Sequence, residues 1–271
     1  MRHQSFGKAL FAMMLAAWLT APYSADAQTK AEGRSYFLRL EANLPPDQAA
    51  KWKAAPGYGQ MRDNFLSADQ RPTLSASMSR KLSKTARRAA RKDTRCRMDE
   101  TGRNFGTALS LDRQIERQIL MAQLRNSWSY HIQLAGCDET YQANFVIIEQ
   151  TDGDLDHITT LPGSTLTWPS LQQDALPKIA LTALQTVRQQ DPTCIPSGRD
   201  RVIATQVMDT RLPKREKMFG IIMQGSWMEK WTMTICRQKL DLQLAFRADG
   251  RGGANFQAQS RQTPIAKRSD P

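Results

Sequence analysis

Three groups of residues have the types and spacing to do chemistry. The first is a run of cations, Arg80, Lys84, Arg87, Arg88, Arg91 and Arg95, recurring at three- and four-residue intervals. On a helix this spacing gathers them into one stripe, with Leu74, Met78, Leu82, Ala86 and Ala89 on roughly the opposite face. Such a stripe can dock onto an anionic surface, where each charge contributes about 1 kcal/mol. The plainer alternative is a solvated face that keeps the chain soluble. The second group is Trp227, Glu229 and Trp231, which share one face of a strand. Aromatics flanking a carboxylate suit a sugar ring or a cationic group. As packing residues they would leave Glu229 on an apolar face, where a carboxylate needs a partner. The third group is the four cysteines, Cys96, Cys137, Cys194 and Cys236. They are singly spaced, without CxxC or paired histidines nearby, which favours disulfides over zinc; no metal or cofactor is expected.

Catalysis finds little support. Beyond His3 the histidines are His131 and His157, and there is no GxSxG, HExxH or phosphate-cradling glycine loop. Asp152, Asp154 and Asp156 precede His157 in TDGDLDH, but the run lacks the length and terminal glutamate of an EF-hand and reads as a polar turn. No catalytic residue is assigned. An envelope glycan hydrolase remains as an alternative, using Glu229 with Asp241 or Asp209. It requires two carboxylates about 5–10 Å apart across an open cleft.

The elements that must hold these groups repeat. NSWSYHIQLAGCDETYQANFVII (126–148) aligns with GSWMEKWTMTICRQKLDLQLAFR (225–247) so that Trp128 meets Trp227 and Cys137 meets Cys236. Tyr141, Phe145 and Ile147 then meet Leu240, Leu244 and Phe246. Each copy reads as a helix, a cysteine, and then strands. The helices are expected over Thr73–Lys92 and Ser170–Gln190, the latter interrupted by Pro177. The strands are expected near Phe105–Leu111, Ile119–Leu124, 127–135 and 139–149, and near Val202–Met208, Met218–Met223, 226–235 and 239–247. Residues 113–118 could instead extend a helix through Leu124. The fold class is therefore α+β: a tandem duplication of one helix on an antiparallel sheet of about four strands. A unit that repeats should repeat its bond, so Cys96–Cys137 and Cys194–Cys236 are expected among three pairings, one inside each unit.

Around this body the chain divides as follows. Residues 1–27 read as a signal peptide: Arg2 and Lys8, an uncharged stretch from Ala9 to Ala21 too short to span a bilayer, then Ala25-Asp26-Ala27 before a cut. Residues 28–72 form an N-terminal segment with a strand expected at Ser35–Glu41. Units follow at 73–153 and 154–256, and 257–271 reads as a disordered basic tail. Residues 1–27 carry Arg2, Lys8 and Asp26, so the remainder keeps a net charge of +11, one less than the +12 of the whole chain. That balance favours anionic partners: an acidic protein or an anionic envelope component, with peripheral contact to a membrane surface. An export signal argues against nucleic acid. The expected protein is periplasmic or secreted, without a transmembrane segment once the signal is removed, and works as a non-enzymatic adaptor or inhibitor-like binding protein. A small-ligand carrier is the remaining alternative, and needs a sizeable pocket between helix and sheet or between the units.

Overall fold

A computed structural model describes residues 34–35, 37–42, 44–67, 70–211, 221–250 and 252–260. The expected signal segment, residues 218–220 of the expected strand Met218–Met223, and tail residues 261–271 lie outside them.

Two helices, α1 (Pro46–Ala54) and α2 (Tyr58–Leu66), lead into α3 (Ala76–Thr94). The first half continues with β1 (Asp99–Ala108), α4 (Arg113–Leu120), β2 (Leu124–Gly136), β3 (Glu139–Gln150) and β4 (Leu155–Thr159). The second half comprises α5 (Pro169–Arg188), β5 (Arg201–Arg211), β6 (Ser226–Ile235), β7 (Gln238–Ala248) and β8 (Ala254–Ser260). Each sheet is an antiparallel meander in sequence order, β1-β2-β3-β4 and β5-β6-β7-β8.

The alternation in the sequence is the alternation that is buried. In β6 every second residue from Trp227 to Ile235 points inward, as a strand of period two requires. Helix α3 starts where the Ser75 hydroxyl accepts the Met78 N–H at 3.1 Å, an N-cap. Its buried residues Leu82, Ala86 and Ala90 are one turn apart and pack with Tyr130, Ile132, Leu134, Ala143, Phe145 and Ile147. In α5, Ile179, Ala183 and Val187 repeat that spacing. The helix continues through Pro177, which lies on its exposed side.

The halves match in finer ways. Both long hairpins turn on two residues, Cys137-Asp138 and Cys236-Arg237, and all four have positive φ, from 47° to 64°. That is the geometry of a type I′ turn, whose twist suits a two-residue hairpin. From each turn a cysteine bonds back to the chain beyond the helix, Cys96–Cys137 and Cys194–Cys236. β1 and β5 each pair with two register shifts, the first between Glu100 and Gly102 and between Val202 and Ala204.

Several expectations are corrected. The segment expected as strand Ser35–Glu41 is helical at residues 37–42, and Phe37 packs against Trp52, Tyr58 and Phe65. The strand expected at Ile119–Leu124 does not form; residues 113–120 take the alternative helical reading as α4, which stops at Leu120 rather than reaching Leu124, where β2 begins. There Ile115 and Ile119 are buried one turn apart while Arg113 and Arg117 stay exposed, so the period is helical. Residues 221–223 are not in a strand. The fourth strand of each sheet comes last instead: β4 lies past the expected boundary at 153, and β8 takes residues 257–260 from the expected tail.

The halves are not separate bodies. A single apolar cluster joins Trp52, Met61 and Phe65 with Ile115, Ile119 and Val146 of the first half and with Trp227, Trp231 and Phe246 of the second. The connection at residues 160–163 continues the edge of the first sheet, with the Thr160 N–H donating to Asn144 O and the Gly163 N–H to Gln142 O. It also meets β5, where the Thr205 N–H donates to Pro162 O. Gly163 has φ +97°, and a Cβ there would sit 2.2 Å from Thr205 O, so only glycine lets the two sheets approach at this point.

Candidate functional site

Helix α3 brings the six predicted cations together and adds two more. Arg80, Lys81, Lys84, Arg87, Arg88, Arg91, Lys92 and Arg95 are all exposed. At about 100° per residue the seven within the helix fall within about 140° of its circumference, away from Leu82, Ala86 and Ala90, and Arg95 follows as the left-handed C-cap. Among the described residues none of the eight forms a salt bridge; the charged pairs lie elsewhere. The helix's one acid, Asp93, is turned to the other side. It accepts from the Tyr141 hydroxyl at 2.7 Å and from Arg201 Nε at 3.0 Å, tying α3 to β5 of the second half. Helical placement also sets Arg91 and Lys92 in the last turn, where the helix dipole favours cations.

Trp227, Glu229 and Trp231 do share a strand face, but it is closed. Glu229 has 0% exposure and both tryptophans are buried, so they offer no platform to a sugar or a cation. Four donors hold the carboxylate. Its Oε1 accepts the Leu166 N–H at 2.8 Å and the Trp227 indole at 3.1 Å; its Oε2 accepts the Trp231 indole and the Thr165 hydroxyl, both at 2.8 Å. None of the four is a cation. Burial pushes the carboxyl above its ordinary range, against the pull of all four donors. Asp241 pairs opposite Thr232 and Asp209 opposite Met228, positions that alternate with Glu229 and so face the other side of the sheet. The carboxylate pair of a glycan hydrolase is therefore not assembled.

Helix α4, the alternative reading of residues 113–118, builds a cleft of about 800 Å³ with the α1–α2 corner and the start of α5. Arg113, Glu116 and Arg117 line it together with Pro56, Leu120 and Met121. Burial pushes the Glu116 carboxyl up to about 7, against a hydrogen bond from Trp52 and with a further push from Asp112. Asp112 itself is fully buried and caps two helices. Its Oδ1 accepts the Gln114 and Ile115 N–H groups of α4, and its Oδ2 accepts the Ser170 N–H of α5 at 2.8 Å. The spacing of Arg113, Glu116 and Arg117 at i, i+3 and i+4 was the available signal for this site, once α4 is read as a helix.

The histidines serve the sheet. His131 Nδ1 lies 2.8 Å from Asn144 Oδ1, and burial lowers its pKa. His157 lies in β4 beside Phe145, lowered first by burial and then by Lys81. Among the described residues no group of three or more His, Cys, Asp or Glu is placed to hold a metal ion. Comparison of the chain with protein-family models, with curated proteins and with solved structures finds no match.

Proposed function

We propose that this chain is an exported, non-enzymatic binding protein, built by tandem duplication of one helix-plus-sheet unit, that docks onto an anionic partner through α3. The observation that carries this reading is the α3 face: eight exposed cations with no acid among them. The counterpart helix α5 has only Lys178 and Arg188 as cations, so the charge is not a requirement of the unit's packing. Support for duplication comes from the matched hairpin turns, disulfide positions and helix stripes. Support for export comes from the signal pattern in residues 1–27 and from two disulfides, which persist in oxidising compartments. Among the described residues no helix is long and apolar enough to cross a membrane.

The test is cell fractionation of the full chain and of a variant carrying Arg80→Glu, Lys84→Glu, Arg88→Glu and Arg91→Glu. The native protein should cofractionate with the envelope and release at high salt, and the variant should be recovered in the soluble exported fraction. Equal envelope association of the two overturns the reading. The cleft beside Glu116 favours a second reading, a carrier of a small amphipathic ligand with its apolar part against Pro56, Leu120 and Met121.

A further inference from the structure

We infer that the α3 face takes a phosphate-bearing lipid surface, meeting the headgroups side-on without entering the bilayer; this rests on the docking reading above and names its partner. Four observations converge on it. The cations stand in two rows along the helix, Arg80, Lys84, Arg87 and Arg91 in one and Lys81, Arg88 and Lys92 in the other, each row spanning roughly three turns, with Arg95 at the left-handed C-cap just beyond. Such a ladder presents charge over an extended line rather than at a point, which suits a plane of headgroups. No aromatic or large apolar side chain interrupts it. A protein–protein interface usually has a desolvated aromatic or apolar centre, whereas binding to anionic lipid needs only charge near the surface.

Insertion is closed off by packing. Interfacial helices that enter a bilayer do so with their apolar face, and here Leu82, Ala86 and Ala90 are fully buried against the first sheet. The attachment is therefore electrostatic and sensitive to salt. Five of the eight cations are arginine, whose planar guanidinium can give two parallel hydrogen bonds to one phosphate.

The test is cosedimentation of the purified, oxidised protein with vesicles of phosphatidylcholine alone, or of phosphatidylcholine with about one third phosphatidylglycerol, at low and at high salt. The native chain should bind only the anionic vesicles and only at low salt. The quadruple α3 reversal should weaken binding at least a hundred-fold. A second variant with the same net charge, reversing Arg211, Arg237, Lys239 and Arg247 of the second half, should stay within a few-fold of native. If both variants lose binding equally, net charge rather than the α3 face is responsible and the inference falls. Retention on immobilised polyglutamate separates the two levels of the claim. Retention that depends on α3, without vesicle binding, overturns the lipid assignment and leaves the docking face standing; neither retention nor vesicle binding overturns both. Circular dichroism and thiol titration of each variant exclude misfolding as the cause of a loss.

Discussion

The same strand position does opposite work in the two halves. In β2 the series is Trp128, Tyr130 and Ile132; in β6 it is Trp227, Glu229 and Trp231. Both series are buried. In β6 the carboxylate gives both indoles an acceptor and also holds Thr165 and Leu166 of the connecting segment. In β2, Tyr130 packs edge-on to Phe105 with ring centroids 4.9 Å apart, and the buried Trp128 indole N–H has no hydrogen-bond partner among the described residues. The helices diverge as well, in the reverse sense. Helix α3 turns its charge outward, while α5 buries its N-terminal turn, where Ser170 donates to Asp112. Of the two helices, α5 is thus held at its N-terminus by the first half, and α3 carries the exposed charged face.

Removing either disulfide is the largest test of this comparison. The bonds close loops with sequence separations of 41 and 42, so paired Cys→Ser substitution should cost about 4 kcal/mol in each half by chain entropy. Urea unfolding measures it, and a markedly unequal loss would mean that the halves do not unfold together. Next is Glu229→Leu, expected to cost about 3 kcal/mol because two indole N–H groups and the Leu166 N–H lose their acceptor. Tyr130→Glu should also destabilise, since it removes the ring packed on Phe105 and the hydroxyl hydrogen-bonded with Arg103. A stabilised Tyr130→Glu variant would break the contrast.

Glu116 gives a smaller, pH-dependent effect. Its folded pKa of about 7 lies above the ordinary 4.5. Between these values the folded chain holds a proton that the unfolded chain has released, so stability falls as pH rises from 4.5 through 7. The size is about 3 kcal/mol. Glu116→Gln should remove that slope in thermal unfolding across the window and raise the melting temperature at pH 8; an unchanged slope would place the titration elsewhere. Smallest is the quadruple α3 reversal, expected within about 0.5 kcal/mol of native stability because those side chains are exposed and unpaired. A large loss would show that the stripe supports the fold rather than a partner.

Period two and the Trp–Cys spacing made the long strands, both hairpins and both disulfides legible, since these depend on near neighbours and on a repeat. Helix α4 was obscured because eight residues with two isoleucines fit either period until Asp112 caps them. β4 and β8 were hidden by short, polar stretches whose strand character comes from pairing with β3 and β7. For Glu229 its place on an apolar strand face required a partner without specifying its kind. Only the tertiary structure decided that neutral donors, one of them a backbone N–H 63 residues away, would enclose it. The exposed stripe of α3 was the converse case: helical spacing alone determined its charge, while tertiary packing decided that its apolar side would be spent on the sheet and its cations left facing water.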